Sequence, residues 1–198
     1  KMKNTLGVIP ARMASSRFPG KPLKKILNIP MLAHCYERAL LSGVCDNLVI
    51  ATPDQEIIDW ATQFEIPSVL TSHSHKRATE RAKETLDILT NDGLHYDLVL
   101  LLQGDEPQIF PEDIGNLKQA FSNNELEVVN LVFPLSDDGL EDPNVVKVAL
   151  DKNLTIHFFS RSHIPHDCIS GYRQLGMIGL TKKALNNYVS LPPTSLEE

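Results

Sequence analysis

No apolar run in this sequence reaches the roughly 18 residues that a membrane span needs, and no signal-peptide pattern opens it, so no membrane association is expected. Cysteine is scarce. The three, Cys35, Cys45 and Cys168, are widely spaced and odd in number, which argues against a disulfide framework and fits a reducing cytoplasm. Positive charge is also short: the net charge is −6, which argues against a broad nucleic-acid surface and leaves any important cations to local clusters. Internal repeats, low-complexity tracts and Gly/Ser linkers are missing. With 198 residues, 42% of them hydrophobic, the expectation is one soluble domain over 1–198 with one substantial core.

Two common phosphate-binding signatures are missing as well. There is no G-x-x-x-x-G-K-[ST], only Gly20-Lys21-Pro22, and no G-x-G-x-x-G. What stands in their place is L-G-V-I-P-A-R-M-A-S-S-R-F-P-G-K-P-L over 6–23. It begins as a short apolar strand and breaks at Pro10 into a loop carrying Arg12, Ser15, Ser16, Arg17, Gly20 and Lys21. Small residues let backbone N–H groups approach a phosphate, and the cations offset its charge, so the loop suits a nucleoside triphosphate. The alternative is a surface loop with solvated cations. A second stretch, L-V-L-L-L-Q-G-D-E-P over 98–107, is a hydrophobic strand ending in two carboxylates. Mg²⁺ takes oxygen ligands, often one or two carboxylates plus substrate phosphates, which makes Asp105 the candidate metal ligand. Gln103 can hydrogen-bond a base or sugar, and Gly104 permits close approach of backbone. The alternative is a strand-end turn in which Asp105 caps the next segment.

Periodicity supplies the frame for both loops. A helix begins near Pro30, with Leu32, Cys35, Tyr36, Ala39 and Leu40 on one apolar face and Gly43 at its end. Residues 47–52 and 68–70 read as strands, separated by a helix that Asp54 caps and whose inward face is Ile57, Ile58, Ala61 and Phe64. A helix follows at 79–89. The central strand at 97–103 has five consecutive apolar residues without alternation, which implies burial on both faces as in a parallel sheet. Pro111, Glu112 and Asp113 open another helix. The order β-α-β-α-β-α-β-α predicts a doubly wound α/β layer, in which ligands sit at the carboxyl ends of the strands. The pattern then changes. Strands at 127–133, 145–150, 154–159 and 174–180, a turn at 151–153 and a helix capped by Thr181 predict an antiparallel extension. Trp60 and the other aromatics are read as core.

Two further clusters are weaker. His73, His75, Lys76 and Arg77 follow the third strand, on the same rim as the other loops, and are read as nucleotide contacts or a solvated loop. His163, His166 and Cys168 have ligand-like spacing, but such a trio in a loop is more often incidental.

With both loops in hand, the chain resembles the 3-deoxy-manno-octulosonate (Kdo) cytidylyltransferases, also called CMP-Kdo synthetases. The matching segments are I-P-A-R-M-A-S-S-R-F-P-G-K-P-L over 9–23, Q-G-D-E-P over 103–107, N-V-V-K-V over 144–148, F-S-R-S-H-I-P over 159–165 and L-G-M-I-G over 175–179. They occur in the family's order and run nearly end to end. The resemblance implies a nucleotide-diphospho-sugar transferase fold (a Rossmann-like, doubly wound mixed sheet), usually dimeric, and the reaction of CTP with Kdo to give CMP-Kdo and pyrophosphate for lipopolysaccharide assembly. It implies Lys21 and Asp105 as catalytic, with Asp105 holding Mg²⁺. Ala11, Arg12, Ser15, Arg17, Lys21, Arg77, Thr79, Arg81, Gln103 and Gly104 would bind the nucleotide. Gln103, Arg161, Gln174 and Glu197 would bind the sugar acid.

The sequence also departs from the family. Members commonly read His-x-Ser-Gly-Thr-[Asp/Glu]-Arg, where this chain has Arg77-Ala78 in place of Ser-Gly. Gln174 stands where a His is frequent, and the loop over 167–171 is short. The family's later Gly-x-Asp, which supplies a second metal ligand, has no counterpart in these 198 residues. The expectations are therefore an active cytidylyltransferase on Kdo, the same chemistry on an amino-Kdo or nonulosonic acid, or a nucleotide-binding protein without turnover.

Overall fold

The apolar runs over 6–9, 48–51 and 98–101, which lack alternation, become strands buried on both faces. The structure, a computed structural model, describes residues 3–14, 18–166, 168–192, 194 and 195, and of 136–138 it describes the backbone. The chain divides into two compact units, Lys1–Val129 with Met177–Glu198, and Asn130–Gly176. No helix among the described residues is long and apolar enough to cross a membrane.

In the first unit, β1 (Thr5–Pro10) is followed by the cationic loop and a 3-10 turn at Lys21–Leu23. The two-residue strands β2 (Lys25–Ile26) and β3 (Ile29–Pro30) pair around Leu27 and Asn28, both at positive φ. Then come α1 (Met31–Leu41), β4 (Asn47–Thr52), α2 (Gln55–Gln63), β5 (Ser68–Leu70), α3 (Ala78–Asn91), β6 (Leu98–Leu101) and α4 (Pro111–Ala120). The second unit is entered through β7 (Val128–Ser136) and holds α5 (Asp137–Glu141), β8 (Lys147–Leu150) and β9 (Ile156–Ser160). It is left through β10 (Ser170–Thr181), after which α6 (Lys182–Ser190) returns to the first. This is the mixed, mainly parallel α/β sheet with an antiparallel part that the pattern predicts.

The first unit's strands run in the order β5-β4-β1-β6, all parallel, and residues 178–181 of β10 add to β6 antiparallel. On one face Leu6, Val8, Val49, Ala51, Val99 and Leu101 meet Ala82 and Leu86 of α3 and Leu185 of α6. The alternate residues Ile9, Ile50, Leu98 and Leu100 are fully buried too, and α1 packs on β4 and α4. Removing such a side chain from water on either face contributes about 1.5–3 kcal/mol. Thr181 caps α6 as expected, its Oγ1 accepting from the Ala184 N–H at 3.1 Å. Gly43, at φ 64, follows the end of α1.

Four local expectations are corrected. The Asp54 side chain makes no cap bond to α2; it turns to a neighbouring loop. Leu40 and Phe64 are 52% and 58% exposed, so the inward stripes of α1 and α2 are one residue narrower than read. Trp60 is half-buried and pairs with Phe64, ring centroids 5.8 Å apart, along the edge of α2 rather than in the core.

In the second unit β8 and β9 form an antiparallel hairpin. At its turn Asp151 Oδ1 accepts from the N–H groups of Asn153 and Thr155 at 2.8 and 2.9 Å. Tyr172 and Arg173 of β10 pair with Val148 and Lys147 of β8, and β7 pairs with β10.

Candidate active site

Strand order brings the two signature loops together. β1 lies between β4 and β6, with Val8 beside both Val49 and Leu101. The chain winds outward from β1 to β4 and β5, then returns to β6 on the other side. The loops after β1 and β6 therefore leave the sheet at its switch point, side by side.

The first loop is tied down by its own backbone. Ala11 N–H donates to Ala51 O at 2.9 Å, and Gly20 N–H donates to Met13 O at 3.0 Å. Met13 N–H donates to Asp54 Oδ2 at 2.7 Å, the bond that replaces the expected helix cap. Gly20 closes the loop at φ 72, a conformation glycine adopts without penalty, and sets up the turn that presents Lys21.

The second loop packs against the first with no room to spare. A Cβ on Gly104 would stand 2.7 Å from the Pro10 carbonyl oxygen. Gly104→Ala is therefore expected to cost about 2 kcal/mol through overpacking against rigid backbone. In a chain of this length that lowers Tm by about 4–8 °C. Because the displaced backbone carries Asp105, kcat/KM should fall as well. Scanning calorimetry beside steady-state kinetics checks both, and an unchanged Tm would show that the two loops are not in contact. Behind this loop Cys35 is buried, which pushes its thiol up to about 12 and keeps it neutral.

Lys21 Nζ donates to Asp105 Oδ2 at 2.8 Å, joining the two loops. Both side chains face a cleft of about 670 Å³ within the first unit, lined also by Ala11, Arg12, Phe18, Met31, Gln103 and Gly104. His75, Lys76, Arg77 and Arg81 line it from the 71–81 segment. Five cations thus face one carboxylate. Each cation interacts with a phosphate charge at 4 Å by about 1 kcal/mol in water and about 4 kcal/mol near a protein surface. The cleft suits a polyanion.

The third wall is held by charge pairs. Arg81 is buried, and its Nη1 donates to Thr71 Oγ1 and, at 3.2 Å, to Ser72 O. Burial pulls its pKa below the usual guanidinium value. Glu84 Oε2 accepts from Ser72 N–H at 2.8 Å and pairs with His75 Nε2 at 2.6 Å. Burial pushes the Glu84 carboxyl up, but those bonds and the Arg81 charge outweigh it and hold it below the ordinary range. Glu80 accepts from the N–H of Lys76 at 2.9 Å and of Arg77 at 3.1 Å, and from Arg77 Nε at 2.9 Å. The Arg77 guanidinium also lies over the Tyr188 ring, 5.3 Å from its centroid. The extra charge at the Arg77-Ala78 departure is thus anchored at the cleft wall.

The structure gathers Ala11, Arg12, Lys21, Arg77, Arg81, Gln103, Gly104 and Asp105 around one cleft. Thr79 does not line it; its buried Oγ1 has no hydrogen-bond partner among the described residues. Arg161 and Gln174 belong to the second unit. There Arg161 Nη1 donates to Pro143 O and Asn144 O at 3.2 and 3.0 Å, and Gln174 Nε2 donates to Asn130 Oδ1 at 2.8 Å. Ser15, Arg17 and Glu197 lie outside the described residues. Asp54, Phe18 and Met31 were missed by sequence reasoning. Asp54 carried a signal, a carboxylate just past a strand end, but the same signal fits a helix cap.

Among the described residues there is no group of three or more His, Cys, Asp or Glu that could hold a metal. His163 instead pairs through Nδ1 with Glu141 Oε1 at 2.6 Å, and its Nε2 lies 3.0 Å from Cys168 O. Asp105 offers a single half-exposed carboxylate beside the cations. That donor set fits a hard cation that brings most of its ligands with it as phosphate oxygens and water.

A sequence profile of the cytidylyltransferase family matches residues 6–198. The 3-deoxy-manno-octulosonate cytidylyltransferase of Thermodesulfovibrio yellowstonii is 38% identical over 208 residues, spanning 98% of this chain and 82% of that protein. The protein of that name from Leptospira interrogans serogroup Icterohaemorrhagiae serovar Lai is 42% identical over 202 residues, spanning 100% and 80%. A solved CMP:2-keto-3-deoxy-manno-octonic acid synthetase complexed with CTP matches with a TM-score of 0.89 at 32% identity, over 97% of this chain and 80% of that one. A cytidylyltransferase from Leptospira borgpetersenii serovar Hardjo-bovis, at 15% identity and TM-score 0.65, shares the fold over 98% of this chain and 67% of its own.

Proposed function

Because the chain belongs to the cytidylyltransferase family, we propose that it transfers the cytidylyl group of CTP to 3-deoxy-manno-octulosonate, giving CMP-Kdo and pyrophosphate. The observation that carries this reading is the meeting, at the β1/β6 switch point, of a cation-rich cleft with one exposed carboxylate. Arg12 and Lys21, with Arg17 on the same loop, hold the triphosphate, and Arg77 and Arg81 face it from the 71–81 segment. Gln103 and the Gly104 backbone lie by the nucleoside and the incoming sugar. Arg161, Gln174 and Glu197 serve the sugar acid. In this reading all 198 residues act as one nucleotidyltransferase domain, cytoplasmic and homodimeric, supplying lipopolysaccharide assembly and engaging neither nucleic acid nor membrane.

The anomeric hydroxyl of the sugar attacks the α-phosphorus. A new P–O bond forms, the bond to the bridging oxygen of the β-phosphate breaks, and pyrophosphate leaves with its electrons while the hydroxyl proton is released. The protein contributes position and charge: its cations sit where negative charge grows on the leaving group, and its loops hold the reactants in line. Asp105 would hold Mg²⁺, which when bound neutralises phosphate oxygens as a Lewis acid. Gln174, in place of the frequent His and bonded to Asn130, favours a second reading in which the same chemistry acts on an amino-Kdo or a nonulosonic acid.

The test is pyrophosphate release. Release that requires CTP, Mg²⁺ and Kdo together is the expected result. Release only with another 3-deoxy-ulosonic acid would select the second reading. No release with any of them, while CTP still binds by calorimetry, would leave a nucleotide-binding protein and overturn both.

A further inference from the structure

Lys147 is fully buried in the second unit, an expensive place for an ammonium. A Met or Leu would fill the same space without desolvating a charge. What the ammonium adds is direction. Its Nζ donates to Asp142 O at 2.5 Å and to Arg161 O at 2.7 Å, tying the turn before β8 to the segment after β9. The tie is reciprocal, because Arg161 Nη1 donates back to Pro143 O and Asn144 O on that same turn. The turn is shaped by Asp142, whose Oδ1 accepts the N–H and Nδ2–H of Asn144 at 2.8 and 3.0 Å. The Asn144 N–H holds the Asp142 carboxyl below its usual range, and the Lys147 charge adds to the effect.

Arg161 is therefore fixed at both ends, its main chain by Lys147 and one guanidinium nitrogen by two carbonyls. Its side chain is exposed, and Nε with Nη2 is the edge that binds a carboxylate through two parallel bonds. We propose that Lys147 is a positioning residue that presents this edge of Arg161 to the carboxylate of the sugar acid. The proposal rests on the reading that Arg161 serves the sugar acid. An arginine already held at main chain and guanidinium gives up less rotamer freedom on binding, so the clamp acts on sugar affinity and not on the nucleotide.

Steady-state kinetics on Lys147→Met, Asp142→Ala, Arg161→Ala and the Lys147→Met/Arg161→Ala pair would test it. Lys147→Met is expected to raise the KM for Kdo about tenfold or more, with the KM for CTP and kcat within about twofold. Asp142→Ala, which loosens the turn without emptying the buried site, should raise the Kdo KM less, in the same direction. On the Arg161→Ala background, Lys147→Met should add nothing. Equal rises in both KM values, a lower Tm with the Kdo KM unchanged, or a full further rise on the Arg161→Ala background would overturn it. Should Lys147→Met fail to fold, an unchanged Kdo KM in Asp142→Ala does the same. Failure of the function above is a separate result: the unmodified protein would release no pyrophosphate from CTP and Kdo.

Discussion

Asp105→Asn is expected to reduce Mg²⁺-dependent pyrophosphate release by about 10³-fold while the protein stays folded. The change is nearly isosteric and removes one charge. In the reading proposed above that carboxylate anchors the ion, so the variant would take away the ion's protein anchor and with it a fixed orientation of the phosphates. Little stability depends on it. The Lys21–Asp105 pair is 34% and 51% exposed at its two ends, and such pairs contribute at most about 1 kcal/mol. Tm should therefore move by no more than about 2–4 °C. Raising Mg²⁺ should recover part of the loss. Activity within a few-fold of the unmodified protein would show that Asp105 does not hold the ion.

Lys21→Ala is expected to raise the KM for CTP by about 10–100-fold, because a charge-assisted hydrogen bond to phosphate is worth about 1.5–3 kcal/mol. Lys21 stands on a 3-10 turn set by Gly20 and Pro22, which fixes where its side chain starts. Lys21→Arg should restore part of the affinity, since charge is kept but the shape of the donor is changed. The sugar acid should feel neither change. Titration of CTP at two salt concentrations would separate charge from packing. An unaltered CTP affinity in Lys21→Ala would place the triphosphate elsewhere in the cleft.

Much of the frame was legible because burial leaves a periodic mark. The uninterrupted Leu98 to Leu102 run announced a strand covered on both faces. Gly104 reads as room for a ligand's approach; that the Pro10 carbonyl packs against it was not legible. Strand order left no such mark. That β1 and β6 are neighbours depends on which edges pair in space, so the meeting of Lys21 with Asp105 was an inference from topology rules. Asp54 shows a second limit. A short carboxylate after a strand can cap its own helix or bind a neighbouring loop, and only the position of Met13 decides. Phe64 shows a third: helical spacing says which residues share a face, not how far the neighbouring sheet extends over it. Arg81 is similar, its burial set by the Thr71 and Ser72 oxygens that wrap it.

The 2.8 Å contact between Lys21 and Asp105 has a thermodynamic corollary. An anion that draws Lys21 to itself leaves the carboxylate uncompensated, and a cation that draws Asp105 leaves the ammonium uncompensated. Each ligand thereby raises the affinity of the other, and by the same factor in both directions. Free triphosphate and free metal should thus each bind more weakly than either does in the presence of its counterpart.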